Sequence, residues 1–196
     1  MDPLTRSLLM AAAAGGGTPA VQIGTVLWQG TNDTSVTLTP GSDTYSVSGT
    51  TSGGQTYGDT VPSVTTTGWY LDVELLQGYS GYVGWLGVCN TTSSFVYQNR
   101  SNYTGWYYSG AIWYPPSNTD STNSSILSAD TYRIAMRSES GTPKIYFRKL
   151  GGAIRGPIDV PTGTLRLMML GQSGFTLPEA TILNSGAVYE GGGGLF

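Results

Sequence analysis

Hydrophobic and polar positions alternate with a period of two along much of this chain. In the run Trp69-Tyr70-Leu71-Asp72-Val73-Glu74-Leu75, the residues Trp69, Leu71, Val73 and Leu75 share one face, and Asp72 and Glu74 lie on the other. This is the pattern of a half-buried antiparallel strand. Residues 132–147 repeat it as a hairpin. Tyr132, Ile134 and Met136 alternate with Arg133 and Arg137; beyond Gly141-Thr142-Pro143, Ile145 and Phe147 alternate with Lys144 and Arg148. The same pattern predicts strands over 22–29, 35–38, 44–48, 69–76, 82–89, 95–98, 106–113, 131–137, 144–148, 165–170 and 181–183, separated by Gly, Pro, Asn, Ser and Asp clusters. No segment after residue 17 carries a helical period, and no repeat of fixed length is present. Residues 117–125 (SNTDSTNSS) are too polar for a core and predict a solvent loop. The expected fold is an all-β antiparallel sandwich over residues 18–190.

The two ends differ from this body. In residues 1–17, MDPLTRSLLMAAAAGGG, the residues Leu4, Leu8 and Leu9 fall at helical spacing, Asp2-Pro3 is a helix start, and Gly15–17 is a stop. Asp2 is wrong for the basic leader of a secretory signal. The run is also far shorter than the roughly 20 apolar residues of a membrane span. The segment therefore reads as an apolar docking peptide, with Leu4, Leu8, Leu9 and Met10 as its contact residues. Residues 191–196 form a tail of four glycines followed by Leu195-Phe196.

Composition narrows the function. Charged residues are 11% of the chain, against roughly 25% in ordinary soluble domains. The surface must be polar through Ser, Thr, Asn, Gln and Tyr, and weak self-repulsion favours assembly of copies. The net charge is −3, and no Lys or Arg occurs between Arg6 and Arg100, so the basic footprint of a nucleic-acid binder is missing. The chain has no His and one Cys, which removes a His-based triad, a His-ligated metal and an internal disulfide. Cys89 closes the apolar run Trp85-Leu86-Gly87-Val88-Cys89 and reads as a buried thiol. The expectation is no metal, no cofactor and no enzyme.

The order of the pieces resembles the SPRY family, a concanavalin A-like jelly-roll sandwich. The strand Gly68-Trp69-Tyr70-Leu71-Asp72-Val73-Glu74-Leu75 is similar to that family's lysine-tryptophan-tyrosine strand, with Gly68 in the lysine position. Val83-Gly84-Trp85-Leu86-Gly87-Val88 is similar to its next strand. Ala129-Asp130-Thr131-Tyr132-Arg133-Ile134-Ala135-Met136 and Lys144-Ile145-Tyr146-Phe147 resemble its glycine-aspartate strand and hairpin partner. The family's asparagine-glycine turn is half matched by Leu150-Gly151. A short apolar peptide in front of a Ser/Thr/Gly-rich lectin-like sandwich also resembles tailed-bacteriophage appendage, fibre and decoration proteins. That resemblance implies a virion protein assembled in the host cytoplasm, bound to other virion proteins through residues 1–17 and present in several copies.

Three constellations are candidates for recognition or chemistry. Of the 22 aromatic residues, 13 lie between Trp69 and Tyr114. Part of that belt must be core, but Tyr97, Asn99, Arg100, Asn102, Tyr103 and Trp106 mix rings, amides and a guanidinium in the manner of a loop that binds a glycan or a host-surface receptor. Arg133, Arg137, Lys144 and Arg148 share a face of the predicted hairpin as a basic stripe. Asp72 and Glu74 face one side of a strand about 7 Å apart, as acids do in sandwich glycosidases, but no third acid stands at the spacing of those enzymes. The function expected is a non-enzymatic phage structural protein that stabilises the particle or binds a host surface. A secreted or surface lectin is the alternative, and a glycoside hydrolase the third reading.

Overall fold

The computed structural model describes residues 20–64, 67–76, 84–92, 100–116, 118–120 and 128–190. The docking peptide with Leu4, Leu8, Leu9 and Met10, the 95–98 strand, Tyr97, Asn99, the side chain of Arg100 and the 191–196 tail lie outside the described residues. Within them the chain forms two seven-stranded antiparallel sheets, with no α-helix. The first sheet runs in spatial order β1 (Val21–Thr25), β16 (Ala187–Glu190), β6 (Trp69–Leu75), β11 (Asp130–Glu139), β12 (Thr142–Lys149) and β13 (Ile154–Asp159), and β15 (Ala180–Ile182) also pairs with β6. The second runs β10 (Asn118–Asp120), β9 (Ile112–Tyr114), β8 (Tyr103–Tyr107), β7 (Gly84–Cys89), β14 (Arg166–Gly171), β5 (Gln55–Thr60) and β2 (Trp28–Thr31). A small ribbon joins β3 (Val36–Thr37) to β4 (Ser46–Val47).

The alternation read in β6 is the observed one: 69, 71, 73 and 75 are buried, and 70, 72 and 74 are half-buried. Register carries the pattern across the sheet. Trp69, Leu71 and Val73 face Met136, Ile134 and Tyr132 on β11, and Ile134 and Met136 face Phe147 and Ile145 on β12. Ser140 and Gly141 turn the β11–β12 hairpin with φ of 50° and 82°. A two-residue turn with both φ positive matches the right-handed twist of its strands. The inner faces of the two sheets enclose the main core, in which Trp106 meets Tyr132 and Phe147 edge-on at 5.4 and 6.3 Å.

The second sheet is buried on both faces, and β7 is buried at all six positions. Its outer face carries a second cluster of Trp85, Cys89, Tyr103, Trp113, Met168 and Leu170. Trp85 stacks on Tyr107 at 4.4 Å and meets Trp113 at 5.2 Å. Gly87 opposes Gly105 where β7 and β8 approach closely: a Cβ on Gly87 would lie 2.0 Å from the Thr104 carbonyl oxygen.

Several expected strands are corrected. The 22–29 strand is two strands, because the chain crosses from one sheet to the other at Val26 and Leu27. There Val26 N–H donates to Gly186 O and Leu27 N–H to Asp59 Oδ2. The 106–113 strand is the β8–β9 hairpin, turned at Gly110 with φ of 95°. Asn118–Asp120, read as part of a loop, forms the edge strand β10. β5, β13 and β16 were not expected. β5 reads as polar but is central, with Gln55 and Thr56 buried; Gln55 Nε2 donates to Thr91 O at 2.7 Å, and Thr56 Oγ1 bonds Thr31 Oγ1 at 3.2 Å.

Candidate interaction site

At one end of the sandwich the core opens into a groove of about 510 Å³ lined by residues 61–64, 136, 142–143 and 159–165. Its size falls within the roughly 300–1,000 Å³ of ligand clefts. The walls come from three places far apart in sequence: the segment after β5, the start of β12, and the end of β13 with its link to β14. Met136 forms part of the buried floor, and Val61, Val64 and Val160 pack against the core beneath. Pro62, Pro143 and Pro161 stand on the three walls. Proline holds a wall in shape because its φ is fixed and its conformational entropy is low.

Hydrogen bonds tie these walls to both sheets. Trp69 Nε1 donates to Pro62 O at 3.1 Å, and Val61 N–H donates to Leu165 O at 2.9 Å. Thr104 Oγ1, on the second sheet, donates to Asp159 O at 2.7 Å on the first. Asn90 Nδ2 donates to Thr162 O at 2.9 Å, so the connection leaving β7 is fastened to the groove wall. That connection contains the loop read from sequence as a ligand-binding element.

The charges around the groove are already paired. Lys144 Nζ bonds Asp159 Oδ1. Arg137 reaches Glu139 Oε1 at 2.6 Å, and the Tyr146 hydroxyl bonds the same carboxylate oxygen. The Tyr146 hydroxyl and the Arg137 guanidinium hold the Glu139 carboxyl below its ordinary pKa. Burial, then Glu139, pushes the Tyr146 phenol up. Along the sheet, Arg133 makes two hydrogen bonds to Asp72, at 2.8 and 2.9 Å, and lies 3.8 Å over the Tyr70 ring. Arg148 Nε donates to Gly152 O at 3.0 Å.

These positions revise the residues singled out by sequence. The basic stripe exists as a geometric set, since Arg133 faces Arg148 and Arg137 faces Lys144 across the hairpin. It is not a free positive surface, because Asp72, Glu139 and Asp159 pair with three of its members. Tyr103 is 2% exposed and Trp106 1% exposed. Both belong to strand β8 and to core clusters, so neither is a loop residue available to a ligand; their large rings contribute more by burial than by contact with water. Asn102 is half-buried, and its carbonyl accepts from Asn90 N–H at 3.0 Å. Asp72 is engaged by Arg133 rather than paired with Glu74 for catalysis. Cys89 is 1% exposed, and burial pushes its thiol up to about 11.

The groove itself was missed. Its one sequence signal is the recurrence of an apolar residue before proline in otherwise polar connections, in Val61-Pro62-Ser63 and Val160-Pro161-Thr162. No group of three or more potential metal-ligating side chains occurs among the described residues. Likewise no helix among them is long and apolar enough to cross a membrane.

No family model matches the chain. No curated protein matches it. Among solved structures it is similar to the SPRY domain of human HERC1, with a TM-score of 0.56 and 19% identity over 76% of this chain and 92% of that one. It is also similar to a human SPRY domain, with a TM-score of 0.53 and 17% identity over 79% of this chain and 96% of that one. The fold is the SPRY-like sandwich.

Proposed function

We propose that this protein is a non-enzymatic structural and binding module of a tailed-phage particle, attached through residues 1–17 and presenting the groove end of its sandwich to a partner. The observation behind the binding role is the groove: a proline-rimmed apolar recess whose neighbouring charges are paired among themselves. An extended segment with apolar side chains suits such a recess, because apolar burial supplies attraction and the neighbouring charges already have partners and call for no countercharge. Reactive groups are poorly placed for catalysis, since Asp72 is held by Arg133 and the Cys89 thiol is buried and protonated at neutral pH.

The particle setting is supported by the apolar peptide with Leu4, Leu8, Leu9 and Met10, and by the low charge that lets copies approach one another. Partners are then other virion proteins and further copies of the chain, assembled in the host cytoplasm. A host-surface receptor or glycan would be met at the same end, where the connection leaving β7 stands. A free-standing lectin has less support, because Tyr103 and Trp106 are core residues.

The test uses the full chain in particles. Leu8→Asp with Leu9→Asp should remove the chain from gradient-purified particles. Val64→Asp, on the groove wall, should leave it attached but lower the particles' heat stability or their adsorption to cells. A wild-type chain absent from purified particles overturns the setting. Val64→Asp particles that behave as wild type overturn the groove as the contact surface.

A further inference from the structure

One row across the outer face of the first sheet reads Asp72 on β6, Arg133 on β11, Arg148 on β12 and Ile154 on β13. It carries two guanidinium groups and one carboxylate, and so is one anion short. Arg133 takes both oxygens of Asp72, and the neighbouring Lys149 pairs with Asp130. No carboxylate among the described residues bonds Arg148, which donates from Nε to Gly152 O at 3.0 Å. That bond fixes the planar group at its inner nitrogen and leaves the Nη1–Nη2 edge for a second carboxylate. The turn supplying the carbonyl is itself tied down: Leu150 N–H donates to Thr131 O at 2.9 Å, and Gly152 N–H to Lys149 O at 2.8 Å. The fork therefore loses little freedom on binding. Two apolar neighbours stand in water beside it. Ile154, opposite Arg148 on β13, is 47% exposed, and Leu150, two residues along the chain, is 44% exposed.

We propose that Arg148, Ile154 and Leu150 form a second docking surface, for an extended segment of a partner protein with an aspartate or glutamate and, two residues along, a large apolar side chain. Residues i and i+2 of an extended chain share a face about 7 Å apart, which is the sequence spacing of Arg148 and Leu150. The partner's carboxylate bonds Nη1 and Nη2 of Arg148. It stands within about one strand spacing of Arg133, whose like charge adds to the attraction. The apolar side chain covers Leu150 and Ile154. Charge selects this occupant over the others. A second copy related by a two-fold axis here sets Arg148 against Arg148, and like charges face to face oppose it. A wholly apolar segment dehydrates the fork and gives it no partner. The surface is separate from the groove: about 20 Å of β12 lies between Thr142 on the groove wall and Arg148. It stands whether or not the groove binds.

The experiment is methyl NMR of the full chain, titrated with the capped tripeptide glutamate-serine-leucine and with its glutamine-serine-leucine counterpart. The glutamate peptide should shift the methyls of Ile154 and Leu150. It should bind about tenfold more tightly than the glutamine peptide, the difference between a charge-assisted contact and a neutral one. Arg148→Gln should remove that preference, and Arg148→Lys should restore only part of it, because lysine keeps the charge and loses the fork. Ile154→Ser with Leu150→Ser should weaken both peptides alike. Equal affinity of the two peptides for the wild-type chain overturns the proposal with no variant needed. A preference that survives Arg148→Gln does the same, as do shifts confined to Val64 and Val160 in the groove. Unchanged affinity in the double serine variant overturns the surface as drawn. Leu150 and Ile154 methyls that move with protein concentration before peptide is added overturn it in favour of a second copy.

Discussion

Asp72 and Arg133 face each other on β6 and β11 with side chains 12% and 19% exposed. Burial works against the guanidinium's charge, but the hydrogen bonds and proximity of Asp72 outweigh it and hold its pKa above the ordinary value. Removing one partner strands the other in a poorly solvated place. Asp72→Ala should therefore cost about 3 kcal/mol in denaturant unfolding, while Asp72→Leu with Arg133→Met should cost far less. Equal losses would show that the pair is not what holds the two strands there. Cys89 gives a second residue-level expectation. Burial raises its folded pKa to about 11, above the ordinary 9.0 of a thiol. The folded state thus keeps a proton that the unfolded chain releases. That contribution is complete below pH 9 and lost as pH rises through 11, to a total of about 2–3 kcal/mol. Chemical unfolding between pH 8 and pH 11 should show this fall, and Cys89→Ala should flatten it.

At the scale of elements, close contacts decide which substitutions are tolerated. A Cβ at Gly87 would strike the Thr104 backbone at 2.0 Å and Gly105 Cα at 2.6 Å, and neither can move without parting β7 from β8. Gly87→Ala should lower stability by about 3 kcal/mol or more, whereas Gly163→Ala meets nothing within 4 Å and carries only the strain of φ 98°. Asp33 fastens another set of elements. Burial pushes its pKa up, but bonds from Ser35, Ser52 and Gly54 outweigh it and hold the carboxyl below its ordinary value. Its contribution is present above the ordinary carboxylate range and lost as pH falls through the lowered value. Asp33→Asn should remove that acid sensitivity in a pH series of melting curves. Strands with one wet face, such as β6, β11 and β12, were legible as alternation. β5 was not, because its buried Gln55 and Thr56 are satisfied by partners 36 and 25 residues away. β13 hides behind Gly156-Pro157, and the groove is assembled from three connections whose adjacency exists only after folding.

The whole molecule is asymmetric at its edges. β13 ends the first sheet with Pro157, which has no N–H to offer a stray strand. β1, at the other end, exposes Val21 at 59% and Ile23 at 38%. Edges of that kind invite pairing between molecules. Ile23→Lys should reduce concentration-dependent light scattering with little change in melting temperature; scattering equal to wild type would show that copies meet elsewhere. The sandwich class was legible in the chain as a whole because turn signals recur between short alternating runs. Sequence did not reveal that the second sheet is covered on both faces: this depends on Tyr107 and Trp113 closing over Trp85 of β7 from strands that pair only in the folded state.

All five tryptophans are at most 8% exposed, and Trp69 ties its indole N–H to the groove wall through Pro62. Unlabelled protein excited at the red edge of indole absorption should emit in the blue. A segment entering or leaving the recess would tug on that lamp through the Pro62 carbonyl, so a spectrometer can follow the titration with no dye.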